Sequence, residues 1–218
     1  MSLILQNVHK SFYQGEKKLE ILKGVSFHAK PGETLAILGQ SGSGKSTLLS
    51  LLAGLDRPDS GEIKFGDTQL SKLNEEEMTN FRARNIGIVF QQFHLIQHLT
   101  ALENVMVPLE ILGQLDQVNR ARELLISMGL EHRLDHLPGK LSGGECQRVA
   151  IARALIAAPK IILADEPSGN LDSETGAQVM DVFFKLAASH NAIKILVTHS
   201  PDLADRCDRQ LFLRAGII

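Results

Sequence analysis

Residues 39–47, Gly-Gln-Ser-Gly-Ser-Gly-Lys-Ser-Thr, constrain this 218-residue chain more than any other segment. They follow the apolar run Thr34-Leu35-Ala36-Ile37-Leu38 and precede Leu48-Leu49-Ser50-Leu51-Leu52-Ala53. Strand, glycine-rich turn and helix in that order form a phosphate-binding loop. Glycines let the backbone curl until successive N–H groups converge, giving an anion nest at a helix N-terminus. In that pattern Gly39, Gln40, Ser41, Gly42, Ser43, Gly44 and Thr47 shape the cradle. Lys45 brings a cation to the β- and γ-phosphates, and Ser46 offers a hydroxyl to Mg²⁺. A glycine-rich turn beside a surface lysine would require neither flank. The loop implies a bound nucleoside triphosphate.

The rest of the chain sets that loop in an α/β context. Leu35–Leu38, Ile86–Phe90, Ile161–Ala164 and Ile193–Val197 read as strands covered on both faces, alternating with helical patterns at Ser46–Ala53, Val118–Met128, Gln147–Ala157 and Gly176–Ala188. Such alternation predicts a largely parallel central sheet. Ile4–Val8, Ile21–Phe27 and Glu62–Phe65, separated by Gly and Pro positions, predict a small antiparallel sheet. Residues 92–158 carry no strand pattern and read as an inserted helical lobe. The expected organisation is one domain over 1–218, with a nucleotide-binding core at 1–91 and 159–218. The formal net charge is −2, so no basic field advertises nucleic acid. No apolar run reaches the roughly 18–20 residues that span a bilayer. The N-terminus lacks a basic leader, and the chain ends soon after Leu211–Leu213, so neither secretion nor a C-terminal regulatory domain is expected. Cys146 and Cys207 form no metal pattern and fit a reducing compartment.

A second anion-binding helix start lies at Leu141-Ser142-Gly143-Gly144-Glu145-Cys146-Gln147-Arg148. Ser142 and Glu145 have capping-box spacing, and Gly143 and Gly144 leave backbone N–H groups bare at the positive end of the helix dipole. A nucleotide has one γ-phosphate, yet the chain has two such helix starts. With this segment the chain resembles the ATP-binding subunit of an ATP-binding cassette (ABC) transporter. Glu145 stands where that family more often has Gln. The resemblance covers essentially the whole chain and implies a head-to-tail homodimer, in which Ser142, Gly143 and Gly144 of one copy close over ATP held by the other.

Lys160–Pro167 is an apolar strand ending in two carboxylates at the edge where α/β sheets place ligands. Strand alternation predicts different roles for them. The resemblance assigns Asp165, with Ser46, to Mg²⁺, and Glu166 to the base acting on the attacking water. It further implies that Gln91 approaches Mg²⁺ and water, Gln92 being the rival, and that His199 contacts the γ-phosphate. Asp172, in the segment 168–172, would shape the water's surroundings across a dimer interface. An aromatic near the N-terminus would stack on adenine; the register favours Phe12, with Tyr13 as the alternative.

The segments Pro167–Ser173 and Leu99–Val105 resemble most the ATPases of lipoprotein release, macrolide efflux and the related cell-division complex. That implies separate integral-membrane permease subunits, with this chain in the cytoplasm on the inner face of the membrane. An ATPase of a polar-solute importer and a soluble, non-transport ABC ATPase are the alternatives. Residues 93–112 carry eleven large apolar side chains, predicting an exposed groove for a short permease helix.

Overall fold

The structure, a computed structural model, describes residues 1–188 and 191–218. In chain order the elements are β1 (Leu3–Gln14), β2 (Lys17–Ala29), β3 (Thr34–Leu38), α1 (Lys45–Leu52), β4 (Ser60–Phe65), β5 (Thr68–Gln69), α2 (Glu75–Asn85) and β6 (Ile86–Val89). There follow α3 (Ala101–Ile111), α4 (Val118–Ser127), α5 (Gly143–Leu155), β7 (Ile161–Asp165), α6 (Ser173–Ala188), β8 (Ile193–Thr198), α7 (Pro201–Ala204) and β9 (Arg209–Phe212). They fall into two compact units, Met1–Arg82 with Ala192–Ile218, and Ala83–Asn191.

The first unit holds two sheets. β1 pairs antiparallel with β2 and β4, and β5 extends β4, in the order β2-β1-β4-β5. The antiparallel sheet expected near the N-terminus is therefore present, with longer strands than the apolar runs alone marked. β3 pairs in parallel with β8 on one side and β9 on the other. All five residues of β3 and all six of β8 are buried, which is why both read as largely apolar runs, with Lys194 the charged exception in β8. α1 buries Leu48, Leu49, Leu51 and Leu52, each contributing roughly 1.5–3 kcal/mol of transfer free energy. That burial anchors the helix whose first turn closes the phosphate loop.

The second unit is built on α5. β6 and β7 pair in parallel from Ile86↔Ile161 to Val89↔Ala164. α5 packs against α3, α4, α6 and β6. Among the described residues, 92–158 contain helices and no strand. α5 begins four residues earlier than the Gln147–Ala157 pattern, because Ser142 and Glu145 complete both halves of a capping box. It ends before Pro159, with Ala158 in a left-handed conformation (φ 49°).

Of the apolar side chains in 93–112, Leu95, Val105, Met106 and Leu109 are buried. Six others are half-buried, and Ile111 alone is exposed, at 67%. The lobe thus takes more of this stripe into its own core than its small size suggested. Asn104, fully buried on α3, accounts for some of that order. Its Oδ1 accepts the Ile96 N–H (2.8 Å), and its Nδ2 donates to the carbonyls of Ile96, Leu99 and Thr100 (3.1, 2.9 and 3.0 Å). One side chain thereby fixes the segment entering α3.

Candidate functional site

In the first unit, β3 feeds directly into the phosphate loop. Ser43 N–H donates to the Gln40 carbonyl (3.2 Å), and Leu48 N–H to the Gly44 carbonyl (2.9 Å). Gly44 is the N-cap of α1 with φ 104°, a backbone conformation that side chains strongly disfavour. The Lys45 ammonium bends back over the loop and donates to the carbonyls of Gly39 (2.8 Å) and Gln40 (3.1 Å). Ser43 Oγ is buried and has no hydrogen-bond partner among the described residues. An orphaned hydroxyl of that kind is unusual and marks a place built for a further polar partner. Ser46 is exposed and Thr47 half-buried, both in the first turn of α1.

Residues 39–43 line a cavity of about 820 Å³ together with His199, Phe212 and Arg214. His199 follows the last residue of β8 and is exposed. The fold therefore brings the predicted γ-phosphate histidine to the loop from 156 residues away (199 − 43). Phe12 and Tyr13 lie on β1, 44% and 73% exposed. Strand alternation sends them to opposite faces. Lys10 Nζ lies 5.1 Å from the Phe12 ring centroid, a cation–π distance. Lys10 is itself pinned by Asp56 Oδ1 (2.7 Å) and the Arg57 carbonyl (2.8 Å). Phe12 is thus a braced ring with an accessible face.

In the second unit, β7 delivers Asp165 as its last strand residue. Glu166 has already left the strand: its φ is 44°, and Gly169 N–H donates to its carbonyl (2.9 Å). The alternation that separated the two acids on paper therefore does not describe Glu166. A left-handed turn aims it instead. Such a conformation costs a non-glycine residue of order 1–3 kcal/mol and concentrates at functional sites. Gln147, fully buried on α5, braces the same turn by donating through Nε2 to the Pro167 carbonyl (2.5 Å).

Gln91 follows β6 by two residues and forms a reciprocal pair with Asn170. Its Nε2 donates to Asn170 Oδ1 (3.2 Å), and Asn170 Nδ2 donates to the Gln91 carbonyl (2.9 Å). Gln92, the rival, is exposed. Asp172 has a structural task at the head of α6, where its Oδ1 accepts the Thr175 N–H (2.9 Å). That bond holds its carboxyl below the ordinary range.

The start of α5 combines three supports. Ser142 Oγ accepts the Glu145 N–H (3.3 Å), while Glu145 Oε2 accepts the Ser142 N–H (2.7 Å). Arg133 Nε donates to Glu145 Oε1 (2.8 Å). Burial alone would raise the Glu145 carboxyl; the Ser142 N–H and Arg133 outweigh it and hold the carboxyl below its usual value. At Gly144 an added Cβ would sit 2.5 Å from Thr175 Cγ2, so only glycine lets α5 approach α6 this closely. Arg133, Asn170 and Gln147 were not singled out from the sequence. Gln147 lies inside the 141–148 segment, whereas the Arg133 pairing has no spacing signal.

Chemically, the chain offers two helix starts with bare N–H groups, a lysine at the first, and an Asp-Glu pair at a strand end. Taken unit by unit, the first unit carries the Ser46 hydroxyl and the second the Asp165 carboxylate and the Gln91 amide oxygen, all hard oxygens. Oxygens of this kind are the ligand type that Mg²⁺ takes.

A family model described as "ABC transporter" matches residues 22–169. The uncharacterized ABC transporter ATP-binding protein YbbA of Escherichia coli (strain K12) is 49% identical over 97% of this chain and 94% of its own. The lipoprotein-releasing system ATP-binding protein LolD of Legionella pneumophila (strain Paris) is 46% identical over 98% of this chain and 95% of its own. Among solved structures, the dimeric bacterial ABC transporter cassette MJ0796 superposes with a TM-score of 0.90 at 42% identity, covering 99% of this chain and 96% of that one. A post-hydrolysis dimer of the same cassette, bound to ADP and phosphate, also gives 0.90. The chain belongs to the ABC transporter family, as one of its ATP-binding, ATP-hydrolysing domains.

Proposed function

We propose that the chain is the ATP-hydrolysing subunit of a membrane complex of the lipoprotein-release type. It works on the cytoplasmic side, coupled to separate integral-membrane permease subunits. The relatives named for lipoprotein release align over nearly the whole chain, and the 167–173 segment, Pro-Ser-Gly-Asn-Leu-Asp-Ser, favours this reading over a polar-solute importer. Among the described residues no helix is long and apolar enough to cross a membrane, which suits a division of labour with a permease. The half-buried stripe of 93–112 that ends at exposed Ile111 is the surface assigned to a short permease helix.

One observation carries the proposal: the chain has two separate glycine-flanked helix starts, α1 behind Gly44 and α5 behind the capping residue Ser142. The first cradles the phosphates of its own nucleotide through residues 39–47, with Lys45 reaching the β- and γ-phosphates. The second, through Ser142, Gly143 and Gly144, closes on the nucleotide of another copy. Phe12 stacks on adenine. Ser46, Gln91 and Asp165 are assigned to Mg²⁺, which when bound neutralises charge on the β- and γ-phosphates. Glu166 accepts a proton from water as the water oxygen bonds to the γ-phosphorus and the bond to the β-phosphate oxygen breaks. His199 contacts the γ-phosphate, and Asp172 keeps the 168–172 turn in place beside α6. Glu166→Gln tests the assignment: it should bind MgATP and lose about 10²–10⁴ in turnover. Parental turnover in that variant removes Glu166 from the base role.

A further inference from the structure

Gln91 sits at the start of a turn that bends sharply back on itself. Phe93 N–H donates to the Phe90 carbonyl (3.3 Å) and His94 N–H to the Gln92 carbonyl (2.5 Å). Phe93 and His94 both have left-handed backbones, with φ 59° and 48°. Two consecutive non-glycine residues in that region persist only where their surroundings hold them.

Arg153, in the last turn of α5, holds this one. Its Nη1 donates to the His94 carbonyl (2.7 Å) and its Nη2 to the Phe93 carbonyl (2.8 Å). Both arms of one planar guanidinium are therefore committed to two successive carbonyls of the strained turn. A lysine ammonium, a point charge on a flexible stem, does not reproduce that fork. The His94 ring meets Phe90 edge-on, with centroids 4.9 Å apart. Asn170 fastens Gln91 from the other direction. The helix that carries the clamp also begins at Gly143, ten residues before Arg153, or about 15 Å at ~1.5 Å per residue. One rigid element thus joins the phosphate-facing glycines to the turn that aims Gln91.

We infer that Arg153 is a positioning residue for hydrolysis, locking the Gln91 turn to α5 so that displacement of α5 moves Gln91 with it. The inference rests on the reading of Gln91 given above and adds the residue that places it. Arg153 acts only through Gln91, so its loss is felt in turnover and not in nucleotide capture.

The test is a double-mutant cycle in the full chain with Arg153→Lys, Gln91→Ala and the pair, measured as ATPase rate against MgATP concentration. Arg153→Lys should lower kcat by about ten- to a hundredfold, the scale of a small misplacement. KM and the stoichiometry of nucleotide binding should stay within about twofold, which a general loss of structure would not allow. Gln91→Ala should also lower kcat, and adding Arg153→Lys to it should cost nothing more. Parental kcat in Arg153→Lys, a raised KM, or losses that multiply in the pair overturns the inference while leaving Gln91's role intact. Parental kcat in Gln91→Ala overturns the Gln91 reading and the inference with it. Should the lysine variant prove insoluble, Arg153→Gln, which keeps one donor arm, is read by the same criteria.

Discussion

Replacing Glu145 with Gln separates the structural duty of the α5 start from its chemistry. The substitution keeps an oxygen to accept the Ser142 N–H but removes the charge that makes this bond short, at 2.7 Å. A hydrogen bond to a charged group contributes roughly 1.5–3 kcal/mol and a neutral one about 0.5–1.5, a loss near 1 kcal/mol. The favourable interaction of a carboxylate with the α5 dipole adds about 0.3–1 kcal/mol. The Arg133 ion pair adds only about 0.5 kcal/mol, because the Arg133 side chain is 42% exposed and water screens it. The sum is about 2 kcal/mol, which lowers Tm by roughly 4–8 °C in a protein of this size.

The pH dependence of that difference follows from the depressed carboxyl. A carboxyl held below its unfolded value, about 4.3, stabilises the fold above that value. The contribution disappears as pH falls through the lower, folded value. Thermal unfolding followed by circular dichroism should show the full Tm gap between parent and Glu145→Gln at pH 7. The gap should shrink steadily below about pH 4. ATPase activity measured well below either Tm should be retained, because the N–H groups of Gly143 and Gly144 are untouched. A gap that is absent at pH 7, or unchanged in acid, refutes the reasoning.

Lys45→Ala removes a cation worth roughly 4 kcal/mol against a phosphate charge at about 4 Å and an effective dielectric near 20, before desolvation is subtracted. Calorimetric titration with MgATP should detect no binding while Tm stays near the parent's, and near-normal binding would dissolve the phosphate-loop assignment. Asn104→Ala strips one acceptor and the donors to three carbonyls from the segment entering α3, and should cost about 3 kcal/mol in chemical denaturation. Asn104→Asp, which sets a carboxylate oxygen against those carbonyls, should cost more at neutral pH; an Asp variant as stable as the parent would refute that reading of the bonding.

Legibility in the sequence followed the range of the interactions involved. β3, β6, β7 and β8 were visible because each leaves a short, largely apolar run, although Lys194 interrupts β8 and Ile86 and Ile88 of β6 stay half-buried. The phosphate loop and the Ser142–Glu145 box were visible because their partners lie within a few residues. α2 was not, since of Glu75–Asn85 only Met78 is buried and no apolar face forms. α3 was blurred by Pro108 inside it, although Thr100 and Glu103 form a second capping box at its start. Glu166 was identified by type, but its left-handed backbone is a property of the turn through Gly169. Arg153 meets its partners 59 and 60 residues away, a distance at which neither periodicity nor motif spacing carries information.

The central claim is that Ser142, Gly143 and Gly144 of one copy close on ATP held by residues 39–47 of another. The direct measurement is the solution mass of Glu166→Gln by light scattering, with and without MgATP. The expected mass is 23.9 kDa without nucleotide and twice that, 47.8 kDa, with MgATP. Adding Gly143→Asp, which places a negative side chain at the start of α5, should return the mass to 23.9 kDa while one MgATP per chain remains bound. A chain saturated with MgATP that stays at 23.9 kDa without the Gly143 change, or a dimer that survives it, contradicts the account.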